Sequence, residues 1–288
     1  YMILKKKKKN CFIIIDDKEH EAGVEKVLRE LDGVMNRIKS SEIEEYMDSR
    51  QSKNLLIILD TNKTELVQSK EVLNKIDKKI VIDHHDLGKT TIKNAEIIDD
   101  SKVSSTCEMI TSLIEFYDVE LDSYYATILL SGIVLDTNNY TLNTSAETYY
   151  SSYYLASLGA SAKKVQYLLK QDINEYTERQ KLMADIETID DKIAFTRASA
   201  NTIYRREDLA KVADTLLFFN NIEASFVIGK IGKDTIGISA RSLGNYDIGK
   251  ILTKLGGGGD NNAGAATKEN TTLAKVEQEL KKILKEGE

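Results

Sequence analysis

Three apolar runs each stop at side chains able to ligate a hard cation. Cys11–Ile15 ends in Asp16 and Asp17, Leu55–Leu59 in Asp60, and Lys79–Ile82 in Asp83, His84 and His85. The chain has only three histidines, His20, His84 and His85, and each lies shortly after such a run. Carboxylate oxygens joined by imidazole suit Mn²⁺ or Mg²⁺. Asp136, which closes the apolar stretch Ile128–Leu135, is a further candidate ligand. Taken alone, Asp60 reads as a helix N-cap at a strand-to-helix turn, a task Thr61 could also perform. Two adjacent histidines after Asp83, at the end of a buried strand, weigh toward a metal site.

A second constellation lies near the C-terminus. Gly256–Gly259 precedes Asp260, Asn261 and Asn262, so backbone amides of Gly257, Gly258 and Gly259 could face a phosphate unobstructed. Glycine runs more often mark flexible turns. Here Ser239-Ala240-Arg241-Ser242 adds two hydroxyls and a guanidinium, which grips phosphate bidentately. A metal-binding part and a phosphate-binding part suit phosphodiester hydrolysis in a cleft between two domains.

The elements that must position these residues follow from hydrophobic period. Short β-branched runs alternate with helical patterns such as Glu21–Leu31, which predicts buried parallel strands with crossover helices. In such a sheet the ligand crevice lies outside the carboxyl ends of the strands, where the candidate ligands sit. Helices are predicted over Ser104–Tyr117, Ser123–Leu135, Ala146–Leu158 and Glu175–Ile186. Tyrosines 149, 150, 153 and 154 read as helix-face packing. After Ile189 a separate α+β unit is expected: strand Ile193–Arg197, helix Glu207–Phe219, a strand pair Ser225–Ile231 and Thr235–Arg241, a helix to Leu255, and a closing amphipathic helix. The expected domains are therefore 1–188 and 189–288.

The 288 residues suffice for two ordinary cores, and 41% hydrophobic with 30% charged residues is a globular balance. No apolar run approaches the ~18 residues of a membrane span, and no signal peptide is visible. The first residue is Tyr1, so an anchor or further domain outside this chain is compatible with the reading. Cys11 and Cys107 lie apart without metal spacing and read as buried free thiols of a reducing cytoplasm. A net charge of −6 argues against gripping long nucleic acid. Lys5–Lys9 is the one strongly basic stretch, read as a solvated tail, with a nucleic-acid or membrane-surface contact as the alternative. The absence of proline and tryptophan, against about 5% proline on average, reads as compositional drift.

With these residues in view, Ile82-Asp83-His84-His85 resembles the signature of the DHH phosphoesterase superfamily. GGGGDNNAGAAT at residues 256–267 is similar to the glycine motif of the DHH-associated domain. The likeness extends to SSTCE (104–108), GIVLDT (132–137) and ASFVIGKIGKDTIGISARSLG (224–244), and is nearest the cyclic-di-AMP phosphodiesterases. It implies a parallel-sheet DHH domain and a smaller α+β DHH-associated domain, with two Mn²⁺ ions activating a bridging water. It assigns Asp60, His84 and Asp136 to metal, His85 to the scissile phosphate, and Asp83 to orienting a histidine. Ser239, Arg241, Ser242, the glycine loop and Asn262 would hold the nucleotide.

The departures matter as much. The family opens with H-x-x-x-D-x-D after the first strand; here Asp17, Glu21 and Gly23 occupy those places. Asp17 and Glu21 would be substitute ligands, and one ion, or none, is expected where relatives hold two. Asp260 replaces a histidine of the glycine loop, and Asp86 and Asn143 stand where relatives tend to be basic. The expectation is a phosphodiesterase-like protein of weak or lost activity that binds a nucleotide or cyclic dinucleotide as a binding or scaffold subunit. The alternative is a working Mn²⁺-dependent hydrolase of cyclic-di-AMP or short oligonucleotides. The resemblance further implies a homodimer, and a place in a larger assembly is a third possibility.

Overall fold

The computed structural model describes every residue except 17–19, 21, 89, 260 and 286–288. Its contacts divide the chain into two compact units, Tyr1–Lys170 and Gln171–Glu288.

In the first unit, strands β1 (Ile13–Ile14) and β2 (Arg37–Ile38) form a parallel pair. Strands β3 (Leu56–Leu59), β4 (Lys79–Asp83) and β5 (Glu96–Asp99) form a parallel sheet in that order. The register sets Leu59 opposite Ile82, so the chain leaves β3 and β4 at the same sheet end. Short helices α1 (Met2–Lys6), α2 (Ala22–Glu30), α3 (Ile43–Tyr46) and α4 (Lys70–Lys75) accompany the strands. The rest is helical: α5 (Thr106–Phe116), α6 (Ser123–Asp136), α7 (Ala146–Ser157) and α8 (Ala162–Leu168). Ser105, Asp122, Ser145 and Ser161 cap these four helices by accepting first-turn amides, which fixes where each begins.

Helix α6 is apolar on all sides because Ala126, Leu130 and Ile133 pack into the centre of this bundle with Leu155 and Val165. It passes so close to α5 that a Cβ on Gly132 would overlap the Cys107 sulfur. That close crossing fixes the end of α6, where Asp136 sits.

The second unit holds α9 (Ile173–Leu182), α10 (Arg206–Leu216), α11 (Ile248–Thr253), α12 (Leu273–Lys285) and a six-stranded mixed sheet. Its strands are β6 (Ile186–Ile189), β7 (Ile193–Arg197), β8 (Ala224–Lys230), β9 (Thr235–Ser242), β10 (Gly258–Gly259) and β11 (Ala263–Glu269), in the order β10-β11-β9-β8-β7-β6. Strand alternation sorts the two faces. Val227 packs with Leu209, Val212, Ala213 and Leu216 of α10, while Phe226, Ile228 and Ile238 pack with Leu252, Val276 and Leu280 of α11 and α12.

Most predicted elements recur within a few residues. The helix expected over Glu175–Ile186 instead ends at Leu182, and Ile186 opens β6 against β7. The compact units divide earlier than the expected limit at 188/189. Helix α9 belongs with the second unit because buried Arg179 donates to Asp208 at 3.1 Å and Leu182 enters the core beneath α10.

Candidate metal centre

The site grows out of the ends of β3 and β4. The Asp60 amide still donates to Ile82 O at 3.0 Å, extending the ladder by one bond. Its φ of 65° then turns the chain out of the sheet, a conformation aspartate tolerates better than most residues. His84 follows β4 directly, and its Nε2 lies 3.7 Å from Asp60 Oδ1. With His85 they form a group whose ligand atoms all lie within 4.8 Å of one another, a spacing that fits a shared cation. Among the described residues no other such group of histidine, cysteine or carboxylate side chains occurs.

A buried scaffold holds this trio. Asp83 has no exposed surface; its Oδ1 meets His85 Nδ1 at 2.7 Å and accepts the His85 amide at 3.3 Å. Its Oδ2 accepts Asn62 Nδ2 at 2.7 Å, and Asn62 also donates to His85 O at 3.0 Å. An Asp83 carboxylate that accepts from His85 Nδ1 leaves the other ring nitrogen directed away from it.

The electrostatics are those of an anionic pocket. Desolvation, then the nearby Asp60 carboxylate, pushes Asp136 up to about 6, while the His85 ring opposes the rise. Burial and then His85 lower His84, while Asp60 and a hydrogen bond to the Val103 carbonyl act against them. A lowered His84 is neutral at pH 7, the form in which imidazole ligates metal. Burial, Asp136 and Asp60 together push the Cys107 thiol up to about 12.

Of the first-strand candidates, the described Asp16 and His20 are not drawn into this group. Asp16 accepts the Ser40 amide and hydroxyl at 2.7 and 2.8 Å. His20 Nε2 lies 3.2 Å from the Asp16 carbonyl. Asp17 and Glu21 lie outside the described residues. A Cβ built on Gly23 meets the Leu168 carbonyl oxygen at 3.0 Å, so that position faces α8.

In the second unit the expected phosphate grip is split by strand alternation. Ser239 and Arg241 share the α10 face, where Arg241 Nε donates to Asp214 at 2.6 Å. Ser242 falls on the other face, and its hydroxyl accepts the Gly244 and Tyr246 amides at 3.0 and 3.2 Å. The expected loop Gly256–Gly259 is in part an edge strand: Gly258 pairs with Ala265 and Gly259 with Gly264. Side chains at Gly257 and Gly259 would overlap the Ala265 and Ala263 carbonyls, whereas Gly258 has open space. Asn262 lies at the hairpin, its carbonyl accepting the Ser242 amide at 2.8 Å.

Asn62 was not among the residues expected from sequence. Its place two residues beyond Asp60, at the same strand tip, was the available signal.

Residues 7–133 match the family model described as DHH family, N-terminal domain, and residues 190–286 match the DHHA1 domain. The chain is 33% identical over 286 residues to cyclic-di-AMP phosphodiesterase GdpP of Geobacillus thermodenitrificans, covering 98% of this chain and 44% of that protein. It is 34% identical over 276 residues to cyclic-di-AMP phosphodiesterase PdeA of Listeria monocytogenes, covering 94% of this chain and 42% of that protein. The chain thus spans less than half the length of these relatives. Among solved structures, an exopolyphosphatase-related protein from Bacteroides fragilis superposes with a TM-score of 0.79 at 19% identity, covering 99% of this chain and 86% of that one. At that identity the likeness speaks for the fold alone.

Proposed function

From a chain that carries a DHH-family N-terminal domain followed by a DHHA1 domain, we propose a phosphodiesterase-like protein that binds one divalent cation and a cyclic dinucleotide, with hydrolysis weak or lost. The observation that carries this reading is the gathering of Asp60, His84 and His85 within 4.8 Å. Asp60 and His84 would hold the ion, with Asp136 close enough to feel the Asp60 charge. Mn²⁺ there would supply Lewis-acid stabilisation of a phosphoryl oxygen. His85, held through Nδ1 by Asp83, keeps its other ring nitrogen for a hydrogen bond to that phosphoryl group. The substrate class is that of the relatives GdpP and PdeA, which are cyclic-di-AMP phosphodiesterases.

Reduced activity rests on the ligands of a second ion. Asp17, Glu21 and Gly23 stand where relatives of this family carry a histidine and two aspartates, and Gly23 has no side chain to ligate with. Two-metal hydrolysis needs both ions to stabilise the attacking and leaving oxygens. Native mass spectrometry with Mn²⁺, beside a hydrolysis assay on cyclic-di-AMP and its linear dinucleotide, tests the reading. One bound ion, dinucleotide binding and no turnover are expected. Two ions with turnover abolished by Asp60→Ala would establish the alternative, a working phosphodiesterase.

A further inference from the structure

The lysine run is not a detached tail. Lys5–Lys9 spans the end of α1 and the turn after it, and all five side chains are exposed. The segment is pinned to the C-terminal end of α5: Lys6 Nζ donates to the Asp118 carbonyl and lies 3.8 Å from its carboxylate, and Lys7 Nζ sits 4.5 Å from the Tyr117 ring centroid. That end of α5 is itself an exposed aromatic surface. Phe116 is 78% exposed and stands edge-on to Tyr117 at 5.0 Å between ring centroids. Tyr150 of α7 reaches across to Glu115 at 2.6 Å, and Tyr153, 69% exposed, continues the surface one turn further along α7.

We propose that this surface, Lys5–Lys9 together with Phe116, Tyr117, Tyr150 and Tyr153, rests on an anionic lipid bilayer. Four to eight consecutive cations are attracted to a negative leaflet, and exposed aromatic rings enter the headgroup zone, apolar body inward. Neither device alone is distinctive; their adjacency on one face is. The carboxylates of the patch are in part occupied locally, Asp118 by Lys6 and Glu115 by Tyr150, while Glu120 is exposed. Among the described residues Lys6 is the one lysine of the run with a carboxylate partner, while Lys5 and Lys7 stand over the Tyr1 and Tyr117 rings, contacts that leave their charge unneutralised. A bilayer is favoured over nucleic acid because the run contains no arginine, the cation suited to phosphate forks and base stacking, and because exposed aromatic rings flank it. This inference is independent of whether the metal centre is active.

Co-sedimentation of the full chain with vesicles of phosphatidylcholine alone, or with phosphatidylglycerol added, tests it. Binding is expected only with the anionic lipid and is expected to weaken with salt. Removing Lys7, Lys8 and Lys9 together by substitution with glutamine should weaken it about fivefold per lysine, roughly a hundredfold in all. Phe116→Ser should also weaken it, with circular dichroism unchanged. Three outcomes would overturn the proposal: no sedimentation with anionic vesicles at low salt; vesicle binding indifferent to Phe116→Ser and matched by a single-stranded oligonucleotide; or a fall in mass from dimer to monomer in Phe116→Ser, which would make the patch a contact with a second copy.

Discussion

Asp83 and His85 are joined by a 2.7 Å contact between a carboxylate with no exposed surface and a half-exposed imidazole. A buried carboxylate is tolerated only when its lone pairs are satisfied. Asn62 supplies the second partner on the opposite oxygen. The motif thus contains one half-exposed ring and one buried carboxylate that fixes the orientation of that ring.

Asn62→Leu should therefore cost about 2 kcal/mol, the order expected when a hydrogen bond to a buried charged group is removed. The urea midpoint should fall with the slope unchanged. The double variant with Asp83→Leu should be less destabilised than the two single losses added together, because the partners of one bond are not independent. Additive losses would disprove the coupling.

Asp60→Ala and His84→Ala should each weaken Mn²⁺ binding more than Asn62→Leu does, since removing a ligand outweighs the ~10–100-fold cost of losing a supporting residue. Isothermal titration ranks the three. Equal affinity in the His84→Ala protein would remove His84 from the ligand set.

The Cys107 thiol, pushed up to about 12 in the folded state, should resist iodoacetamide at pH 8 until the chain is unfolded by urea. The linkage has a defined sign. Folding raises this pKa above its unfolded value of about 8.5, so the folded state keeps the proton that the unfolded chain releases. Stability should fall as pH rises above about 8.5, and Cys107→Ala should lessen that fall. Peptide mass spectrometry and urea midpoints at pH 8 and 10 read the two effects.

Gly257→Ala should destabilise the second unit by about 1–3 kcal/mol, as overpacking does, because its Cβ would overlap the Ala265 carbonyl and Ala266. Gly258→Ala, with open space around it, should change stability by less than about 1 kcal/mol. Thermal unfolding of both variants distinguishes a structural requirement for glycine from a general intolerance of the hairpin.

Much of the first unit was legible because its signals are local. Continuous apolar runs mark buried strands, serine and aspartate caps mark helix starts, and polar residues at strand ends mark the place where ligands gather. Asp60 and His84 could be paired from sequence because parallel neighbours leave the sheet at the same end. The helix expected to run to Ile186 failed for a related reason: β pairing with Thr196 overrides helical period there.

What tertiary structure alone decided is which polar groups spend themselves on one another. Arg241 reads in sequence as a phosphate grip, but β9 turns it toward Asp214, 27 positions away on α10, and Ser242 toward the opposite face. Asp16 carries the right chemistry for metal and is engaged by Ser40. Local spacing specifies the kind of side chain and the end of the strand on which it stands. Partner choice depends on register and helix packing between distant segments, which no local pattern encodes.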